Sequence, residues 1–240
     1  MVTSTVLPPA TCDLSIVIPL FNEEMNVARL MVRIFGVLEE REESFEVIGV
    51  NDGSSDGTLE ALERMQKVNP RLRIVPLESN VGQHRALLAG FRASRGRWVV
   101  TLDADLQNPP EEIPRVLDAL QAGHDKVGTY RHRRQDPLFR KLSSRAINIV
   151  ARKLSGIEIR DFGCMLRGYS REVIEKTLLE EHESLHPYVP ASAYRNALRP
   201  VELPVDHVRR EHGESKYDFT RLVRLSVDLL ANSTKRPRKS

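Results

Sequence analysis

A regular alternation of short apolar stretches with amphipathic ones constrains this chain more than any other feature. Leu14-Ser15-Ile16-Val17-Ile18, Phe45 to Val50, Leu72 to Leu77, Arg97 to Leu102 and Lys126 to Tyr130 read as strands. Between them lie segments of helical period. Glu23 to Glu40 places Val27, Leu30, Met31, Ile34 and Leu38 on one face, and Asp56 to Val68, Gly82 to Ser94 and Glu111 to Ala122 follow. An N-cap at Ser55 or Asp56 is expected for the second helix. Apolar strands separated by helices predict an α/β fold, a mostly parallel sheet flanked by helices on both faces. In such sheets ligands bind outside the carboxyl ends of the strands.

The second half is less regular. Pro137 to Leu154 reads as an amphipathic helix with a basic side, Cys164 to Tyr169 as a strand and Glu172 to Leu179 as a helix. Val201 to Val208 alternates like a strand, and Tyr217 to Leu230 reads as a last amphipathic helix. The expected organisation is a disordered N-terminus over 1–12, one domain over 13–216, and an amphipathic juxtamembrane helix with a basic tail over 217–240. A chain of 240 residues suits one large domain.

Net charge is only +3, but the excess is local. Arg131, Arg133, Arg134, Arg140, Lys141 and Arg145 face a single acid, Asp136, and the tail carries Lys235, Arg236, Arg238 and Lys239. Such clusters attract phosphate, including that of lipid head groups. Aromatic residues make up 5% of the chain and are not interleaved with the basic clusters, which argues against nucleic acid as a partner. Cys12 and Cys164 show no metal-ligand spacing, so a reducing compartment is expected. No signal peptide is visible, and no apolar run approaches the roughly 20 residues that cross a bilayer.

The chemistry gathers at three strand ends. Thr101-Leu102-Asp103-Ala104-Asp105-Leu106-Gln107-Asn108-Pro109-Pro110-Glu111 carries two carboxylates one residue apart. Mg2+ takes one or two carboxylates and completes its shell with water and substrate phosphates. The ion then neutralises a departing diphosphate. A solvated acidic loop is the bland alternative. Val50-Asn51-Asp52-Gly53-Ser54-Ser55-Asp56-Gly57 ends a strand in a tight turn. There Asp52 is placed to accept from a ring N–H of a base, and Gly53 lets backbone approach a ligand. Its alternative is an ordinary Gly/Ser turn. Pro19-Leu20-Phe21-Asn22-Glu23-Glu24 adds an aromatic for stacking and a carboxylate for ribose, or is simply an acidic helix start. His84, at a helix start, reads as structural. Together the loops describe a nucleotide-diphosphate pocket.

These three loops, in this order, resemble the signature loops of family 2 glycosyltransferases with the GT-A fold. Gly128-Thr129-Tyr130-Arg131, Ser144-Arg145, Asp161-Phe162-Gly163-Cys164-Met165-Leu166-Arg167 and Arg210-Glu211-His212-Gly213-Glu214-Ser215-Lys216-Tyr217 resemble the polyprenyl-phosphate group within it. Arg134-Gln135-Asp136-Pro137-Leu138-Phe139-Arg140-Lys141 and His182-Glu183 strengthen that likeness. The resemblance implies inverting transfer of a sugar from a nucleotide-diphosphate donor to polyprenyl phosphate at the cytoplasmic face of the cell membrane. A UDP-sugar is the implied donor, with UDP-4-deoxy-4-formamido-L-arabinose the sugar of the nearest subgroup.

Residue by residue, the resemblance makes Asp105 and Gln107 ligands of Mg2+ or Mn2+, and sets Asp103 on ribose or a metal-bound water. Pro19, Phe21, Glu23, Asp52, Asp103, Arg210 and Lys216 would bind the donor. Arg131 and Arg145 are the candidates for the acceptor phosphate, because a guanidinium grips a phosphomonoester bidentately. Asp161 matches the position usually given the general-base role, with Asp103 and Asp105 completing the catalytic set. A phosphomonoester with a second pKa of about 6 is already mostly deprotonated at neutral pH, so orientation of an arginine or the sugar is the competing role for Asp161.

Relatives of this group continue into two C-terminal transmembrane helices, whereas this sequence stops at Ser240 after a basic tail. Either that part was removed, or the amphipathic last helix and basic clusters rest on the membrane surface. A homo-oligomer is left open. The competing functions are a glucosyl- or mannosyltransferase to dolichyl or polyprenyl phosphate, and a non-catalytic nucleotide-sugar binding module. A nucleotidyltransferase would need a Gly-rich basic loop near the N-terminus, which Ile18 to Glu24 lacks.

Overall fold

The computed structural model describes residues 7, 9–131, 159–161, 163–181 and 188–208. Its strands are β1 (Cys12–Leu20), β2 (Phe45–Asn51), β3 (Leu72–Pro76), β4 (Gly96–Thr101), β5 (Lys126–Arg131), β6 (Arg167–Ser170) and β7 (Pro200–Val205). They form one sheet in the order β3-β2-β1-β4-β6-β5-β7. β6 runs antiparallel to β4 and β5, and the other pairs are parallel. The reversal has a simple origin. β5 ends at Arg131, and β6 begins with Arg167 opposite Thr101, the last residue of β4. The chain therefore re-enters the sheet from the edge at which it left.

The helices described are α1 (Glu24–Glu39), α2 (Thr58–Val68), α3 (Gln83–Ala93), α4 (Ile113–Gln121), α5 (Arg171–Glu181) and α6 (Val189–Asn196). A 3₁₀ turn over Pro110–Glu112 precedes α4, where the prolines supply the fixed φ that a helix start tolerates. The sequence reading contains no counterpart of α6, whose eight residues are too few to set a period. Gly57 rather than Ser55 or Asp56 holds the N-cap of α2, and Asp56 assists from one place earlier, its Oδ1 accepting the Thr58 N–H at 3.0 Å. β6 is shorter than expected because side chains take the carbonyls before it. Arg167 Nε donates to Cys164 O, Thr101 Oγ1 to Met165 O and Thr129 Oγ1 to Leu166 O. The helices expected over 137–154 and 217–230 lie outside the described residues.

Alternation along the strands sorts the core to two sides. Ile16, Ile18, Val47 and Val100 pack with α1, α2 and α4, while Val17, Ile48 and Val99 pack with α3, α5 and α6. Leu7 joins the second side. β2 is buried along its whole length, as a central strand covered on both faces should be.

Candidate active site

The strand order reverses at β1, with β2 on one side and β4 on the other, and this opens a crevice at their carboxyl ends. The first two motif loops are knitted together there. Asn22 N–H donates to Ser54 Oγ at 3.0 Å, Ser55 N–H to Asn22 Oδ1 at 2.8 Å, and Glu23 N–H to Thr58 Oγ1 at 2.8 Å. The Glu23 carboxylate accepts from Asn26 Nδ2 at 2.6 Å, while Pro19, Phe21 and Glu23 are half-buried on the rim.

Asp52 is buried at the end of β2, and its carboxylate reaches sideways. Oδ1 accepts from Val81 N–H at 2.8 Å and Oδ2 from Gly82 N–H at 3.1 Å. It thus fastens the loop before α3 to the pocket wall. Gly53 stands at φ 63°, where a Cβ would lie 2.4 Å from the Ser79 carbonyl carbon. Only glycine fits both the backbone and the space.

In the acidic loop Asp105 is buried, and its Oδ1 accepts the Gln107 N–H at 3.1 Å. Between them Leu106 sits at φ 61° with its side chain in the core. Asn22 at φ 52° is the other non-glycine residue of positive φ among the described residues. Both lie in motif loops, and such conformations persist where packing over-determines them, commonly at ligand sites. Asp103 accepts from Gln83 Nε2 at 2.7 Å, and Val208 N–H donates to Gln107 O at 3.0 Å. Two carboxylates and an amide are hard oxygen donors. Among the described residues no group of three or more His, Cys, Asp or Glu is arranged to hold a metal. The donor set fits Mg2+ or Mn2+ completed by phosphate and water, and does not fit a closed zinc cage.

On the far side of the crevice Arg131 ends β5 and meets Asp161. Arg131 Nε donates to Asp161 Oδ2 at 2.6 Å and Nη2 to Oδ1 at 2.9 Å. Gly163 N–H also donates to Oδ1, at 3.0 Å, and the Arg131 N–H approaches Oδ2 at 3.4 Å. Both side chains are largely buried, at 13% and 7% exposure. A Cβ on Gly163 would stand 3.0 Å from Arg131 Nη2, so this glycine leaves room for the guanidinium. Arg145, Arg210 and Lys216 lie outside the described residues.

The sequence reading left Gln83 and Arg167 without a role. Arg167 closes the quoted Asp161 to Arg167 motif and Gln83 lies at the start of α3, yet only folding puts Gln83 on Asp103 and Arg167 beneath Asp161. His84 is half-buried, with its Nδ1 edge sealed and its ring 4.7 Å from that of Tyr188. Desolvation and, second, the charge of Arg167 push its pKa down to about 4. Cys12 and Cys164 are free thiols, and burial pushes Cys164 up to about 11, which makes it inert at neutral pH.

Residues 15–178 match the profile described as "Glycosyl transferase family 2". The chain belongs to that family, and its sheet and helices form the GT-A fold of its solved structural neighbours. It is 43% identical over 224 residues to the undecaprenyl-phosphate 4-deoxy-4-formamido-L-arabinose transferase of Aeromonas hydrophila subsp. hydrophila, covering 93% of this chain and 68% of that one. Identity to the protein of the same name from Edwardsiella ictaluri is 44% over 224 residues, with the same coverage. Two solved structures share the fold. One is the glucosyl-3-phosphoglycerate synthase of Mycobacterium tuberculosis with Mn2+, UDP and glucosyl-3-phosphoglycerate (TM-score 0.63, 17% identity, 95% of this chain and 82% of that one). The other is a mannosyltransferase of Pyrobaculum calidifontis with GDP-mannose and Mn2+ (TM-score 0.64, 18% identity, 98% and 68%). The family and fold that the motifs implied are both borne out.

Proposed function

We propose that this glycosyltransferase moves a sugar from a UDP donor to polyprenyl phosphate by a single inverting displacement at the cytoplasmic membrane face. The sugar named for its relatives, 4-deoxy-4-formamido-L-arabinose, is the first donor to test. The observation that carries the reading is the meeting, at one crevice, of a carboxylate pair and a buried arginine held in plane by a carboxylate. Among the described residues no helix is long and apolar enough to cross a membrane.

Two anionic reactants must be brought together and a diphosphate must leave. A divalent ion held by Asp105 and Gln107 would supply the charge neutralisation that the leaving group needs. The protein does the rest. Asp52 and Gly53 shape the base pocket, Gln83 orients Asp103 toward ribose, and Asn22 and Leu106 hold the two loops in register. Arg131 receives the acceptor phosphate, and Asp161 fixes the plane of its guanidinium. Asp161 is poorly suited to take a proton, because N–H donors already face both its oxygens. The acceptor oxygen, with a pKa of about 6, requires no base at neutral pH.

Titration calorimetry with UDP, with and without Mn2+ or Mg2+, tests the donor half. Uptake should depend on the divalent ion and weaken at least about tenfold in Asp105→Ala. Transfer of labelled sugar to undecaprenyl phosphate tests the acceptor half. Metal-dependent binding without transfer to any polyprenyl phosphate would instead make the chain a nucleotide-sugar binding module.

A further inference from the structure

The turn that presents Asp161 is held from below by a side chain that touches neither proposed substrate. Arg167 opens β6 and is fully buried. Its Nε donates to Cys164 O at 2.7 Å and its Nη2 to Asp161 O at 2.9 Å, so one guanidinium spans both ends of the turn. The turn closes on itself through Gly163 N–H to Asp161 Oδ1. Across the ladder Arg167 pairs with Thr101, two residues before Asp103. Burying a guanidinium is costly, and holding two carbonyls alone would not require a charge.

That charge reaches the groups around it. His84, next to the Gln83 that holds Asp103, has its protonated form disfavoured first by desolvation and then by Arg167. Lys126, at the start of β5, is affected in the same order. β6 lies between β4, which leads to Asp103, and β5, which ends at Arg131, so the guanidinium that opens β6 sits between the metal side and the proposed acceptor side of the crevice.

We propose that Arg167 is a positioning residue for the acceptor phosphate: its planar fork holds the 161–164 turn so that Asp161 can present Arg131, and its enclosed charge adds to the attraction for both anions. The proposal rests on Arg131 as the acceptor-phosphate arm. Arginine is required because lysine, a single point donor, cannot span two carbonyls three residues apart.

Steady-state kinetics with undecaprenyl phosphate, alongside calorimetry of UDP with Mn2+, decide the matter. In Arg167→Lys, which keeps the charge and loses the fork, the acceptor KM should rise about tenfold, the equivalent of one charge-assisted hydrogen bond. UDP affinity should stay within about twofold, because the donor contacts are untouched. Arg167→Met should raise the acceptor KM further, and if it does not fold, Arg167→Lys alone decides. In an Arg131→Met background Arg167→Lys should add little, since both act through one arm. Parallel loss of UDP affinity and acceptor KM in Arg167→Lys, or no change in either, overturns the proposal. If Arg131→Met itself leaves the acceptor KM unchanged, the underlying reading of Arg131 fails. If Arg131→Met raises it while Arg167→Lys does not, only the role of Arg167 fails.

Discussion

Asp161 illustrates how little a residue type says about its role. An acid at the rim of a crevice invites the name of base, yet this carboxylate faces Arg131 with both oxygens and takes the Gly163 N–H as well. In Asp161→Asn an amide N–H would point at an N–H donor, and the guanidinium would lose its plane. Turnover should fall on the order of 100-fold, as a misplaced reacting group does, and the loss should persist from neutral to alkaline pH. A pH–rate profile checks this, and recovery at alkaline pH would restore the base role. At this scale the closeness of Asp103 and Asp105 was legible in the sequence as two carboxylates one residue apart, whereas Gln107 entered only through the family resemblance. Gln83 was not, because its partner Asp103 lies twenty positions away and nothing in the spacing links them.

The elements were read well where they repeat and poorly where they do not. Periodicity located β1 to β5 and α1 to α4 to within a few residues, because burial on one side or both leaves a pattern. It is blind to strand direction, so the reversal of β6 went unseen. The loops between elements carry the tightest constraint. Gly53, just past the end of β2, holds a left-handed conformation against the loop before α3, where an added Cβ would stand 2.4 Å from the Ser79 backbone. Gly53→Ala should destabilise the fold by at least about 1–3 kcal/mol and weaken UDP binding along with it. Urea unfolding and calorimetry on the same variant read both effects. Unchanged stability with normal UDP affinity would show that the two loops move apart at no cost.

As a whole the molecule is asymmetric about its sheet. The side covered by α1, α2 and α4 is an apolar cluster, whereas the side of α3, α5 and α6 also encloses Arg167, Lys126 and the sealed edge of His84. That side should respond to acid. His84 has a folded pKa of about 4, below its ordinary 6.5, so the folded state favours the neutral ring. Its stabilising contribution is complete above about pH 6.5 and is lost as pH falls toward 4, by on the order of 2–3 kcal/mol. Thermal midpoints between pH 7 and 4.5 should therefore fall more steeply for the wild type than for His84→Gln. Parallel curves would mean that the ring is reached by solvent and protonates freely.

The sequence alone determined the alternation of strand and helix, the buried face of α1 and the three polar loops that follow strand ends. These properties are written in neighbours or in short periods, so they survive without the fold. Only the tertiary structure decided that Asp161 faces Arg131, that Gln83 reaches Asp103 and that Arg167 lies buried under the Asp161 turn. Each of these depends on which strand enters the sheet beside which, and in what direction. Sheet pairing joins residues far apart in the chain, and their identities record no trace of the distance that folding removes.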